Sequence, residues 1–170
     1  MTSPAETLRV DNPFTLTLAC EVPLASWEQI DPLLTRAREG ARLIAAMPLA
    51  ERKALVERAT RVMESRAGRY SADISRMMGK PEQQAQGELR TMAVRARAMI
   101  ELADAGLAPI EVAGDDGITR RIVKVPLGVV LDLPAWNYPL LTAVNVIMPA
   151  VLAGNAVIVK HSPRSPLCGP

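Results

Sequence analysis

The segment GVVLDLPAWNYPLLTAVNVIMPAVLAGNAVIVK, residues 128–160, limits what this chain can fold into more than any other part of it. GVVLDL (128–133) is short, apolar and bounded by Gly and Pro, which reads as a buried strand. NAVIVK (155–160) reads the same way, and PLLTAVNVIMPAVLAG (139–154) between them is long enough for a helix. Strand, helix, strand is the start of a parallel α/β sheet with a right-handed crossover. Residues 140–160 are also nearly as long and apolar as a membrane span. Asn145, Pro149, Gly154 and Asn155 fit a buried helix, a turn and a buried strand better than lipid, so no membrane association is expected.

Upstream, the period is helical. FTLTLACEVP (14–23) predicts a short strand pair or extended arm. A helix follows, with two candidate starts: Ser26 with Gln29 as a capping box, or Asp31–Pro32. It runs to about Met47, and Pro48 opens a second helix whose Leu55, Val56, Ala59, Val62 and Met63 share a face. Gly68 is expected to weaken or bend it before a further helical turn or two carrying Ile74, Met77 and Met78, and Gly79–Lys80–Pro81 stops it. A third helix is expected from Glu82 to Ala105, ended by Gly106, with its Met and Ala residues as core filler. Residues 110–127 then predict a β-hairpin around Asp115–Asp116–Gly117. Its second run alternates Ile118, Arg120, Ile122, Lys124 against Thr119, Arg121, Val123, Val125, so neither face is cleanly apolar and another surface should cover it. The expected class is α/β: N-terminal helices plus the first strand–helix–strand of a parallel nucleotide-binding sheet, with a β-hairpin arm. The organisation divides into 1–109, the hairpin at 110–127, and the start of the sheet at 128–170.

Charge excludes one class of partner. Twenty basic residues against 18 acidic give a net +2, too balanced to point to nucleic acid. Cys20 and Cys168 lack metal or redox spacing, and MTSPAETLRV lacks the features of a signal peptide. Reduced thiols in a cytoplasmic protein are expected.

The loop LPAWNYP (133–139) lies where the first parallel strand ends, and ligands of open α/β sheets bind beyond that edge. Lys160 ends the second strand on the same edge, where a side chain can meet ribose hydroxyls or a phosphate. There is no G-x-G-x-x-G after the first strand. W-N-Y-P followed by P-A-V-L-A-G-N-A-V-I-V-K resembles the aldehyde dehydrogenase superfamily, as do PLAERKALVERATRVMESR, the GKP at 79–81 and RRIVKVPLGVV, in the family's order. The resemblance implies oxidation of a small-molecule aldehyde to an acid, with NAD or NADP accepting hydride from a cysteine adduct. It implies that Asn137 donates its side-chain amide to the tetrahedral oxyanion; the competing reading is that Asn137 only caps the next helix. It further implies that Lys160 binds the adenosine ribose and that Leu133, Pro134 and Trp136 line the cofactor cleft. Dimers or tetramers built through an arm like the 110–127 hairpin are also implied.

The chain departs from the family pattern in several places. Pro163 stands where many NAD-using members carry a glutamate, and Lys160, Ser162 and Arg164 are close in sequence, so NADP is expected to be tolerated or preferred. Val146 replaces a lysine of the following helix, and Ala135 rather than proline precedes Trp136. The family's nucleophilic cysteine and general-base glutamate are not expected among these residues, and neither Cys20 nor Cys168 matches the nucleophile. The chain alone is therefore expected to lack dehydrogenase activity; the alternative is a short non-catalytic nucleotide-binding or subunit-interaction protein derived from that fold. Two parallel strands leave an edge and an apolar face uncovered. The isolated chain should therefore be poorly soluble or partly molten, and a sharp, cooperative calorimetric melt of a monomer would contradict this.

Overall fold

The computed structural model describes residues 6–114 and 117–169. It contains three two-stranded sheets and five α-helices among the described residues. The first sheet pairs β1 (Thr7–Asp11) with β2 (Leu18–Pro23), antiparallel. The strand pair expected within 14–23 is thus formed with a partner further upstream, and residues 12–17 make the connection. The cause is local: Asn12 Oδ1 accepts the Phe14 N–H at 2.9 Å and the Thr15 N–H at 3.3 Å, an Asn-driven turn that takes Phe14 out of a strand.

The first helix, α1 (Trp27–Ala46), begins at the Ser26–Gln29 signal. Ser26 is extended and its N–H donates to Gln29 Oε1 at 2.9 Å, so Asp31–Pro32 lies inside the helix instead of opening it. Next come α2 (Leu49–Ser65) and α3 (Ala67–Met78), which separate at Arg66, two residues before the expected weak point at Gly68. Gly79 then closes α3 in the left-handed conformation, φ 73°, with its N–H donating to Ser75 O at 2.8 Å. A Cβ at that position would lie 2.9 Å from Pro13 Cγ, so close approach and backbone angle both call for glycine. The long helix α4 (Glu82–Leu107) passes through Gly106 and ends at Ala108. A single glycine only lowers helix propensity, whereas Pro109 forces its predecessor out of the helical region, and Ala108 sits at φ −57°, ψ 143°.

The core follows from helical periodicity. On α4, Ala85, Leu89, Met92, Ala93, Ala96 and Ala103 are buried, and they join Val56, Tyr70, Ile74 and Met77 of α2 and α3. Four residues of α5 (Pro139–Leu152), Leu140, Val144, Met148 and Leu152, complete the cluster at i, i+4 spacing. Each fully buried Leu- or Met-sized side chain contributes about 1.5–3 kcal/mol.

The strand–helix–strand unit forms as read from the sequence. β5 (Val129–Asp132) and β6 (Ala156–Val159) are parallel, Val129 opposite Ala156 through Asp132 opposite Val159, with α5 as the crossover. Both α1 and α5 pack on this pair. The amides that argued against lipid have structural partners. Buried Asn155 accepts the Gly128 N–H at 2.9 Å and donates to Ala150 O at 3.1 Å, tying the end of α5 to the start of β5. No helix among the described residues is long and apolar enough to cross a membrane. The arm is the antiparallel pair β3 (Ile110–Val112) and β4 (Arg120–Ile122), exposed along both strands; Asp115 and Asp116 of its turn signal lie outside the described residues.

Replacing Gly79 by Ala should destabilise the chain by more than about 1 kcal/mol, because a β-carbon is strained at positive φ and meets Pro13. A urea titration followed by helical circular dichroism reads this directly, and an unchanged midpoint would refute it.

Candidate active-site loop

Two strand ends define the site. The Lys160 N–H donates to Asp132 O at 2.9 Å, so the parallel pairing persists to the carboxyl edge and sets the 133–138 loop beside Lys160. Pro134 and Pro139 are buried and anchor the loop at both ends. Thr142 Oγ1 donates to Tyr138 O at 2.8 Å and holds the entry into α5. Leu133, Trp136 (51% exposed) and Tyr138 remain open at this edge, as does Asn137.

The start of α5 presents a capping problem, and Asn137 does not solve it. The N-cap residue is Tyr138, with no side-chain cap bond. The free N–H groups of Leu140 and Leu141 instead donate to Glu88 Oε1 of α4, at 2.9 and 3.2 Å. A carboxylate at a helix N-terminus also meets the positive end of the helix dipole. The other oxygen of Glu88 accepts from Lys80 Nζ at 2.6 Å. Both side chains are buried, that of Glu88 fully and that of Lys80 to 8% exposure. Lys80 Nζ also donates to the backbone carbonyl of Asn137 at 2.7 Å and lies 3.8 Å from the centroid of the Tyr138 ring. The Asn137 side-chain amide has no hydrogen-bond partner among the described residues. The capping alternative therefore fails.

Sequence reasoning missed Lys80 and Glu88, taking the first as part of a helix stop and giving the second no role. A signal was present: Glu88 interrupts the apolar stripe between Ala85 and Met92, and a charge on a core face needs a partner. It missed Asp132 too. That carboxyl group, 4% exposed at the end of β5, has one oxygen with no partner among the described residues, and burial raises its pKa.

The remaining candidates fall around this edge. Lys160 is exposed, and Ser162 is half-buried with its Oγ accepting the Arg164 N–H at 3.2 Å. His161 is half-buried, Gly169 lies close against its ring, burial lowers its pKa, and its Nδ1 has no partner among the described residues. A cleft of about 520 Å³ lined by Arg38, Arg42, Leu127 and Gly128 opens at the other end of β5, away from Asn137.

The thiols are poorly suited to nucleophilic work. Burial, reinforced by the Glu88 and Asp73 carboxylates, pushes the Cys168 thiol up to about 12, so it holds no useful thiolate at neutral pH. Burial also raises that of Cys20. In a thiol titration with a disulfide reagent at pH 8, Cys20 should react first, and Cys168, 5% exposed, only when denaturant opens the fold. Two equally fast thiols under native conditions would contradict this placement.

Residues 1–169 match the aldehyde dehydrogenase family. The chain is 31% identical over 155 residues to the NADP-dependent succinate-semialdehyde dehydrogenase of Deinococcus radiodurans, covering 91% of this chain and 32% of that protein. It is 31% identical over 163 residues to an N-succinylglutamate 5-semialdehyde dehydrogenase of Caulobacter vibrioides, covering 93% and 33%. Among solved structures it resembles aldehyde dehydrogenase 21 of Physcomitrella patens in complex with the reaction product succinate, with TM-score 0.87 and 26% identity over 98% of this chain and 36% of that one. The NADP-dependent glyceraldehyde-3-phosphate dehydrogenase of Bacillus halodurans, complexed with NADP, superposes with TM-score 0.88 and 26% identity over 96% and 36%. The chain thus spans about a third of the length of these relatives. The loop, the parallel pair and the helices before them are those of a member of the aldehyde dehydrogenase family, to which this chain belongs.

Proposed function

We propose that this chain forms the cofactor-side, N-terminal part of an enzyme that oxidises an aldehyde to a carboxylic acid, with NAD or NADP as hydride acceptor. The observation that carries this reading is the side-chain amide of Asn137, exposed on the loop and without a hydrogen-bond partner among the described residues. The α5 N–H groups go to Glu88 and the Asn137 carbonyl to Lys80, so the amide N–H remains available to an oxyanion. Such a donor is worth about 3–4 kcal/mol of transition-state stabilisation, because it is oriented before charge develops.

The edge also suits a nicotinamide dinucleotide. An exposed lysine ammonium at the end of β6 supplies donors for ribose hydroxyls or a 2′-phosphate. Leu133, Pro134 and Trp136 offer an apolar wall, and Ser162 a hydroxyl beside Lys160. With Pro163 in place of a carboxylate, nothing at that position repels a 2′-phosphate, which favours NADP as tolerated or preferred. The bound dinucleotide supplies the hydride acceptor; the residues of this chain hold and orient it. Neither cysteine here suits the role of thiolate nucleophile, since burial raises the pKa of both thiols. The hairpin of residues 110–127, with Ile110, Val112 and Ile122 exposed, suits pairing between copies in a dimer or tetramer. A cytoplasmic location fits the reduced thiols. Two relatives are named for semialdehydes that carry carboxylates, so succinate semialdehyde is the first substrate to assay.

In the full-length protein, Asn137→Ala should lower kcat about 10²–10³-fold with little change in KM. Stability should stay within about 0.5 kcal/mol, since the side chain caps nothing. Loss of stability with unchanged turnover would sink the reading. Lys160→Ala should raise the KM for NADP more than that for NAD while sparing kcat; equal effects on both cofactors would remove the 2′-phosphate assignment.

A further inference from the structure

We infer that Lys80 is a positioning residue for the reaction: through its bond to the Asn137 carbonyl it fixes the direction of the Asn137 amide. This rests on the reading of Asn137 given above and adds a residue from another element to it.

The geometry separates two tasks. Glu88 Oε1 satisfies the N-terminus of α5 by itself, through Leu140 and Leu141. Lys80 contributes nothing to that cap directly. Its ammonium is shared between Glu88 Oε2 at 2.6 Å and the Asn137 carbonyl at 2.7 Å, with the Tyr138 ring 3.8 Å away. An ammonium has three donors and no acceptor, and here each neighbour is a carboxylate, a carbonyl or a π face. The carbonyl it grips belongs to the same residue whose side chain is left unengaged. Tethering that carbonyl holds the peptide plane following Asn137 against a buried charge, which restricts how the Asn137 Cα can turn.

The tether is itself immobile. Lys80 follows Gly79, whose left-handed cap ends α3, and it precedes Pro81, which fixes the entry to α4. Its side chain is buried, so it lacks the solvent-exposed lysine's freedom to swing away. A buried pair of this kind gains little stability over apolar residues of equal volume. Its specific effect is on where the loop sits, and a misplaced donor is costly in rate.

The test is a cycle of variants in the full-length protein: Asn137→Ala, Lys80→Met with Glu88→Gln, and all three together. Lys80 and Glu88 are changed jointly so that no charge is left buried alone. Initial rates are measured with succinate semialdehyde and NADP. The joint variant should lower kcat about 10- to 100-fold, with the KM for NADP changed by no more than about twofold. In the Asn137→Ala background the same joint change should cost less than about threefold more, because the donor it aims is already gone. Equal losses in both backgrounds, or an unchanged kcat in the joint variant, would overturn the inference. An Asn137→Ala protein with unchanged kcat would overturn the oxyanion reading instead. If the joint variant does not fold, Tyr138→Leu, at a half-exposed ring, gives a milder version with the same criterion: a few-fold loss of kcat that disappears in the Asn137→Ala background supports the positioning role, and equal losses overturn it.

Discussion

The carboxylate of Glu88 is the point on which this structure hangs. It sits on the core face of α4, fully out of water, between residues that pack against α3 and α5. A charge there is tolerable only with close partners. It has three: the Lys80 ammonium and two backbone N–H groups of α5. Removing one partner of such a pair leaves an uncompensated buried charge and costs about 3–5 kcal/mol. The interaction therefore ties the start of α5, and the loop that leads into it, to α4 and Lys80.

The chemistry proposed for the loop depends on this division of labour. Helix ends need acceptors for their first N–H groups, and a nearby asparagine is a natural candidate. Had Asn137 served that need, its amide would have been directed at its own helix. A carboxylate from α4 meets the need instead, and the asparagine remains unengaged. The same buried carboxylate helps keep Cys168 protonated. One group thus caps α5, leaving the Asn137 side chain unengaged, and helps hold a nearby thiol in its protonated form.

The parallel pair depends on a second set of contacts. β5 and β6 join through four residue pairs, and Asn155 with Gly154 closes the crossover. Gly154 has φ 91°, and a Cβ there would lie 2.8 Å from Pro126 Cγ, so the turn back into β6 is available to glycine and few other residues. Leu131 and Leu133 remain exposed beside this pair, as does Leu127 before it. Apolar strands of this kind are normally covered on both faces.

The sequence by itself determined the elements and the edge at which the site forms. Period, glycine and proline placement gave the helices, the stop at Gly79, the parallel strands, and Asn137 and Lys160 at one end of them. Local chemistry also accounts for the departures: Asn12 forms a turn that takes in the first residues of the 14–23 segment, and Pro109, not Gly106, ends α4. Tertiary structure alone decided what surrounds Asn137. Lys80 and the Asn137 carbonyl are 57 positions apart, and Glu88 and the Leu140 N–H are 52. Periodicity reports which face of a helix is apolar, but not which distant backbone group a charge on that face will meet. That meeting is fixed only when α4 and α5 pack, because burial makes an unpartnered charge or helix end costly and so selects the one arrangement that satisfies both.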